Sequence, residues 1–507
     1  MTARLSRRVA AHPRLADGIA IVAGVVSVFA YAPIAWRPLS VITLAALFLL
    51  WLDCTPWRAF RRGYLFGLAF FGVGVSWVYN SIHEFGHAPV LLAAVITLAF
   101  VLFLSLYPAL TGWLARRYFK TAPAVLLIAV LPALWVLLEW MRGWVITGFP
   151  WLLLGQAQLD TPLAGVIPVL GAYGASWLAA ITAGLLACLL VIPLRAVWLP
   201  AAAIVVVWLA AAGLKQIEWT QARNETFGAS LIQGNIPQDQ KWLPAQRLRA
   251  IDMYAEMTRA SWGSDLIIWP ESAIPAYYQK ISPYLAPLIA EVREHNAILF
   301  AGAFYFDAER ETRHNSLVKI DAEEAVYHKR HLVPFGEFMP LRALLQWTDS
   351  MLDIPMADLS SGEGQPLLMA ADVPIGISIC YEDAYGNETL DAFPEAQLLI
   401  NVSNDAWFGD SFAPHQHLEI ARLRALETER FLLRATNTGV SAVIGPSGAL
   451  IDQLPQFEKG VLNATVDLRT GLTPFARWGN WGVVVLLSAM LAVLWLSSLG
   501  QRNKDIP

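Results

Sequence analysis

The chain has 507 residues, 56% of them hydrophobic and 15% charged, and its 40 acidic against 36 basic side chains leave a formal net charge of −4. An ordinary soluble domain carries about 25% charged residues, so this is the composition of a membrane protein. Without an excess of positive charge there is no field to hold a phosphate backbone, and nucleic acid is excluded as a partner.

A helix that crosses the hydrocarbon core needs about 20 mostly apolar residues. Runs of that kind recur at roughly 17–34, 38–52, 64–80, 88–114, 122–145, 170–193 and 196–214, with another at about 480–500. They predict an α-helical membrane bundle of about eight transmembrane helices. Residues 215–475 contain no apolar run of spanning length. The expected division is a seven-span bundle over 1–214, a catalytic domain over 215–475, and a final helix with its tail over 476–507.

Arg4, Arg7, Arg8 and Arg14 precede the first apolar run, and no small-residue cleavage site follows it, which reads as an uncleaved anchor. Basic residues favour the cytoplasmic side. Arg58, Arg61 and Arg62 follow the second run, Arg116, Arg117 and Lys120 the fourth, Arg195 the sixth, and Arg502 and Lys504 the last. Both termini are therefore expected in the cytoplasm, and the 215–475 domain outside it. Cys54 and Cys188 belong to the membrane part, which leaves Cys380 alone in that domain. It has no internal disulfide partner, and none of the cysteines has the spacing of a zinc site. A lone thiol in an oxidising compartment needs burial or a function.

Within 215–475, β-like runs at Ala229–Ile232, Leu266–Trp269, Ile298–Ala301, Leu317–Ile320, Ile375–Ile379, Leu398–Val402 and Val440–Ile444 alternate with helical patterns at Ala245–Ser261, Pro283–His295 and His417–Leu433. This is an α/β layout. Three runs end in polar residues: Trp-Pro-Glu271, Cys380-Tyr-Glu382 and Asn401-Val-Ser-Asn404. Sites in open α/β sheets form beyond the carboxyl ends of strands, so Glu271 and Cys380 are expected to converge. A cysteine with an unperturbed pKa near 8.5 needs a base to become a nucleophile at neutral pH, and Glu271 is the candidate. The oxyanion formed on the attacked carbonyl needs a positive donor, for which Lys329 in His-Lys-Arg-His-Leu-Val-Pro-Phe-Gly-Glu337 is placed, aided by the backbone N–H after Cys380. Glu337 and Glu382 are the carboxylates expected to hold that lysine.

Taken together, Gln-Gly-Asn-Ile-Pro-Gln at 233–238, Trp-Pro-Glu271, His-Lys329-Arg through Pro-Phe-Gly-Glu337, and Cys380-Tyr-Glu-Asp resemble the nitrilase (carbon–nitrogen hydrolase) superfamily. Glu139-Trp-Met-Arg-Gly-Trp144 and Thr147-Gly-Phe-Pro-Trp151 extend the likeness, within that superfamily, to the apolipoprotein N-acyltransferases of bacterial envelopes. The resemblance implies an αββα sandwich on a helical bundle in the bacterial inner membrane, with the catalytic domain on the periplasmic side. It places the catalytic roles on Glu271, Lys329 and Cys380, and supporting roles on Glu337, Tyr381, Glu382 and Trp242. The implied reaction takes an acyl chain from a phospholipid donor, commonly phosphatidylethanolamine, through a thioester on Cys380. It delivers the chain to the N-terminal α-amine of a diacylated apolipoprotein, with no cofactor and no metal.

Each motif has a plainer reading when it stands alone. A cysteine after an apolar strand is more often core than nucleophile, and a Lys-Arg pair is more often solvated surface. His415 and His417 without further ligands are weak signs of a metal. Glu139 and Arg142 at helical spacing suggest an ion pair that steadies a helix, or a contact for a headgroup. Trp144, Trp151 and Trp242 suit either an interfacial belt or an acyl-chain entrance. The apolar stretch 338–373, with Met339, Leu341, Leu344, Leu345, Trp347, Met351 and Leu352, suits a lid that dips into lipid. Two other functions use the same residues: a membrane-anchored amidase acting on a small C–N substrate, and a lipid-binding protein with a retired site. Eight spans argue for a substrate drawn from the membrane, and the intact triad argues against retirement.

Overall fold

The computed structural model describes residues 12–321, 323–338 and 358–504. Each of the eight apolar runs coincides with helix, at Pro13–Val28, Pro38–Leu52, Pro56–Gly74, Val90–Tyr118, Pro123–Arg142, Pro162–Val191, Trp198–Leu214 and Trp481–Lys504. Five of these helices have proline as their first residue, where the missing N–H belongs to a group that has no intrahelical partner anyway. Length divides the eight. Among the described residues four helices are long and apolar enough to cross a bilayer: Val90–Tyr118, Pro123–Arg142, Pro162–Val191 and Trp481–Leu499. A fifth is reached only if Pro56–Gly74 and Val78–Phe85, bent by 58° to each other, make one span. Pro13–Val28, Pro38–Leu52 and Trp198–Leu214 have 16, 15 and 17 residues. At about 1.5 Å per residue none of the three reaches the roughly 30 Å of hydrocarbon.

The chain falls into two compact units. One takes in the described residues up to Ser76, together with Ala94–Glu218 and the chain from Trp478 onward; the other is Trp77–Ala93 with Trp219–Arg477. The inclusion of Trp77–Ala93 in the second unit is not legible from hydropathy, because it joins two apolar helices.

The second unit is built on two sheets. In chain order its strands are β1 (Gln221–Gln233), β2 (Leu266–Ile268), β3 (Ile274–Tyr277), β4 (Ile298–Asp307), β5 (Thr312–Ile320), β6 (Ala325–His328), β7 (Leu367–Ala370), β8 (Val373–Ile379), β9 (Leu398–Ser403), β10 (Leu432–Thr436), β11 (Ala442–Ile444), β12 (Leu450–Gln453) and β13 (Gly460–Thr470). The first sheet runs β13-β1-β2-β4-β5-β6, with β3 also on β4, and the second runs β12-β11-β10-β9-β8-β7. The central pairs β1–β2, β2–β4, β8–β9 and β9–β10 are parallel. Parallel strands are covered on both faces, which is why these segments read as unbroken apolar runs. Leu266 and Ile268 face the other sheet, where Ile375, Ile377, Ile400 and Leu433 close the core between the layers. Ile267, pointing the opposite way, packs with Ile251, Tyr254, Leu288 and Val292 of the outer helices. Helix Ala413–Thr428 covers the second sheet through Leu418, Ala421 and Ala425. The result is an αββα sandwich.

The expected helix at His417–Leu433 ends early. Glu429 takes a left-handed conformation at φ 47 and stops the helix at Thr428, so Leu432 and Leu433 enter β10 instead. The Glu429 carboxylate accepts the backbone N–H groups of Trp219 and Thr220 at 2.8 and 2.9 Å. The residues of the expected lid from Met339 to Leu352 lie outside the described residues.

Candidate functional site

β2 ends at Ile268, and the turn that follows presents Glu271. Gly302 on β4 lets this turn lie close, since a Cβ there would come within 2.3 Å of the Pro270 carbonyl oxygen. Glu271 Oε1 accepts the side-chain N–H of Asn315 at 2.7 Å and lies 3.5 Å from Lys329 Nζ. Its Oε2 accepts the backbone N–H of Asn404 at 2.8 Å, just beyond the end of β9. Lys329, at the end of β6, donates to Glu337 Oε1 at 2.9 Å. Asn315 also donates to Glu337 Oε1, at 2.9 Å, and so bridges the two carboxylates. Burial opposes the Lys329 charge, but Glu337, Glu271 and the Cys380 thiol favour it more strongly and hold the ammonium well above the ordinary lysine range.

Cys380 follows β8 directly, at φ 54. A left-handed non-glycine residue is strained and persists only where its surroundings hold it. One support is Glu382, which accepts the Ile379 N–H at 2.7 Å. A second is the Cys380 carbonyl, which accepts from Asn401 Nδ2 at 3.2 Å and faces His417 Nε2 at 3.3 Å. The thiol is buried, and burial together with the Glu271 charge pushes its pKa well above the usual cysteine range, while Lys329 pulls it down. Glu271, Lys329 and Cys380 thus act on one another electrostatically.

Glu337 holds Lys329 as expected. Glu382 acts on that lysine through its charge, with no hydrogen bond between the two among the described residues; it accepts from Tyr327 Oη at 2.9 Å and from the N–H groups of Arg330 at 2.6 Å and His331 at 3.1 Å. It ties the Lys329 segment to the Cys380 turn through backbone. Tyr381 lies edge-on to Tyr385 at 5.2 Å. Trp242 is half-buried, tilted against Phe304 at 5.7 Å. Its indole N–H is buried and has no partner among the described residues, and neither has Gln238 Nε2.

Two features escaped the sequence. Lys241 is fully buried, donates to the Glu271 carbonyl at 3.1 Å, and is pulled down to about 7 by burial, against the pull of the Glu271 charge. Beneath the thiol, His417 bonds Asp405 at 2.9 Å and Asp383 at 3.0 Å, while Arg434 reaches Asp405 at 2.9 Å, Asp383 at 3.3 Å and the Asn401 side-chain oxygen. His417 therefore sits between two carboxylates, with its Nδ1 also 2.9 Å from an Arg434 guanidinium nitrogen. Burial and Arg434 oppose its charge, Asp383 and Asp405 favour it, and its pKa is raised to about 9.

This network predicts a pH signature. A histidine raised from 6.5 to about 9 contributes stability that is complete below 6.5 and disappears as pH rises through 9. Lys241, lowered from 10.5 to about 7, acts in the opposite sense, since the unfolded chain binds the extra proton between those values and stability rises with pH there. The two slopes offset each other between about pH 7 and 9, and His417→Gln removes only the falling one. Unfolding followed from pH 7 to 9 should show a flat parent and a variant whose stability climbs by on the order of 1 kcal/mol per pH unit. Parallel curves would mean that His417 carries no charge.

In the other unit, Glu139 and Arg142 make no direct hydrogen bond to each other among the described residues. Glu139 Oε1 accepts Trp135 Nε1 at 3.1 Å and the Leu154 N–H at 2.9 Å, while Arg142 donates to the carbonyls of Phe149 at 3.2 Å and Trp151 at 2.5 Å. Both hold the 149–154 loop against their helix. Trp151 is buried and Trp144 is exposed.

Residues 23–185 match the family described as Apolipoprotein N-acyltransferase N-terminal domain, and residues 228–472 match Carbon-nitrogen hydrolase. An Apolipoprotein N-acyltransferase of Methylococcus capsulatus is 44% identical over 477 residues, covering 94% of this chain and 95% of the relative. One of the same name from Nitrosomonas europaea is 41% identical, with 95% and 97% covered. Among solved structures, an amidase of the nitrilase superfamily from Nesterenkonia is 21% identical, with a TM-score of 0.37, over 50% of this chain and 93% of its own.

Proposed function

The chain belongs to the apolipoprotein N-acyltransferase family, and from that premise we propose that it completes bacterial lipoproteins by N-acylation, moving an acyl chain from a membrane phospholipid to the α-amine of an S-diacylglyceryl cysteine. The observation that carries the chemistry is the buried Lys329, held between Glu337 and Glu271 with its charge acting on the Cys380 thiol. Glu271 takes the thiol proton as the sulfur attacks the ester carbonyl, so free thiolate need not accumulate. The resulting oxyanion faces the Lys329 ammonium and the N–H that follows Cys380. When the tetrahedral centre collapses, the C–O bond breaks, the lysophospholipid alkoxide takes the proton from Glu271, and a thioester remains. The acceptor amine then attacks the thioester, Glu271 receives its proton, the C–S bond breaks, and the proton returns to sulfur. An ester has become an amide through two balanced half-reactions, the pattern of ping-pong kinetics. The cysteine, lysine and glutamate need no metal or nucleotide for either step. Water competes at the thioester, and drawing both substrates from lipid keeps it dilute.

The expected domain division follows this reading: helices over 1–214 and 476–507 supply the membrane part, and 215–475 supplies the periplasmic catalyst. The alternation of basic loops supports a cytoplasmic location for both termini and a count of about eight membrane passages, the short helices included.

Incubating the purified full chain with phosphatidylethanolamine alone should add one acyl mass to the protein, labile to hydroxylamine and absent from Cys380→Ala. A diacylated lipopeptide should then remove it. Release of free fatty acid with no transfer to the peptide would favour a hydrolase, and a folded protein that gains no mass would exclude this donor.

A further inference from the structure

Trp77–Ala93 lies in sequence between two apolar helices, yet it packs with the catalytic unit. Its contacts converge on one short element, the 3-10 turn Asp405–Phe408, and on the first turn of helix Ala413–Thr428. Trp77 is buried; its indole N–H donates to Gln416 Oε1 at 3.2 Å, and its ring meets Phe408 edge-on at 4.8 Å. Ser81 Oγ donates to the Trp407 carbonyl at 2.9 Å. Phe85 lies edge-on to Trp407 at 6.3 Å and beside Gly409, where an added Cβ would meet Phe85 at 3.8 Å. Two of these contacts are directional hydrogen bonds, which fix position in a way that apolar cover alone does not.

The other end of the same turn holds the proposed chemistry. Asn404, which precedes it, gives its N–H to Glu271, and Asp405 bonds His417, which faces the Cys380 carbonyl. Trp407 is three residues from Asn404, one 3-10 turn or about 6 Å along the axis. Gln416 is the neighbour of His417 on the covering helix. Glu271 is therefore one contact, and Cys380 two, from a turn that Trp77, Ser81 and Phe85 also hold.

We propose that Trp77, Ser81 and Phe85, although they sit in a connection between membrane helices, are positioning residues of the acyl-transfer site, acting through the Asp405–Phe408 turn on Glu271 and Cys380. They touch neither substrate. The catalytic machinery then includes a piece of the membrane-helix sequence, and a domain cut at residue 215 would lack it. The inference rests on the acyl-transfer reading and adds residues to it.

The test uses the full chain with phosphatidylethanolamine and follows the single-turnover rate of acyl-adduct formation at several donor concentrations. Displacing reacting groups by about 1 Å can cost 10²-fold. Trp77→Ala should accordingly lower the saturating acylation rate by about 10- to 100-fold and leave the half-saturating donor concentration within about twofold. Trp77→Phe, which keeps the ring against Phe408, should recover most of that loss, and Ser81→Ala should reduce the same rate. A saturating rate equal to the parent's in both alanine variants overturns the inference, and so does a loss confined to half-saturation, which would make the segment part of the donor site. Should Trp77→Ala not fold, Ser81→Ala, which removes one hydroxyl, decides by the same two readings. A parent that gains no adduct overturns the acyl-transfer reading itself, a result distinct from variants that match an active parent.

Discussion

Glu271→Gln is expected to slow both half-reactions by about 10³-fold or more, since positioned acid–base catalysis contributes roughly 10²–10⁴. Glutamine keeps the shape, but its single oxygen can accept from only one of the two donors that fix the glutamate, Asn315 Nδ2 and the Asn404 N–H, and its amide NH2 faces the other. It cannot take the thiol proton or return it to the leaving alkoxide. In the proposed mechanism the same group serves each proton transfer, so adduct formation and adduct discharge should fall together. Stopped-time mass spectrometry measures the two rates separately. If formation slowed while discharge kept the parent rate, a second base would be at work on the amine, and Lys241, held to about 7 next to the Glu271 backbone, would be the group to replace next.

Lys329→Met is the second large effect, and it strikes stability and rate at once. The ammonium lies between two buried carboxylates, 2.9 Å from Glu337 and 3.5 Å from Glu271. Removing one partner of a buried ionic cluster strands the others and destabilises by about 3–5 kcal/mol. Loss of a preorganised donor at an oxyanion costs about 10²–10³ in rate. The two losses separate in Lys329→Met/Glu337→Gln, which no longer buries two unpaired carboxylates. Thermal unfolding of the double variant should return most of the way to the parent, and its acylation rate should not. Recovery of both would reduce Lys329 to a structural counterion.

Much of this arrangement is legible in the chain because it is local. A buried parallel strand announces itself as an apolar run, and the residue after it marks the sheet's carboxyl end, which is how Glu271, Cys380 and Asn404 stand out. Lys329 and Glu337 are eight residues apart in one loop. What stays hidden depends on distant pairing. Asn315 sits inside β5 and matters only because it reaches Glu271 and Glu337 together. His417 resembles a stray metal ligand until Asp383 and Asp405 arrive from two other segments. Glu429 stops its helix three residues before the apolar pair Leu432 and Leu433, which hydropathy cannot distinguish from another helical turn. The spans are half-legible for a related reason: composition reports that a segment tolerates lipid, while the number of helical residues decides whether it reaches across.

β1 and β13, the first and last strands after Trp219, pair antiparallel, with Gln221 opposite Thr470. The entering and departing chains therefore stand side by side at one corner of the sheet. A folding unit arranged in this way can be set into a host polypeptide at a single point, as a parenthesis is set into a sentence, and asks of the flanking sequence only a short joint on each side. Such an origin would leave the catalyst's interior untouched by the change of surroundings. New constraints would then fall on whichever loop of the host first came to rest against it.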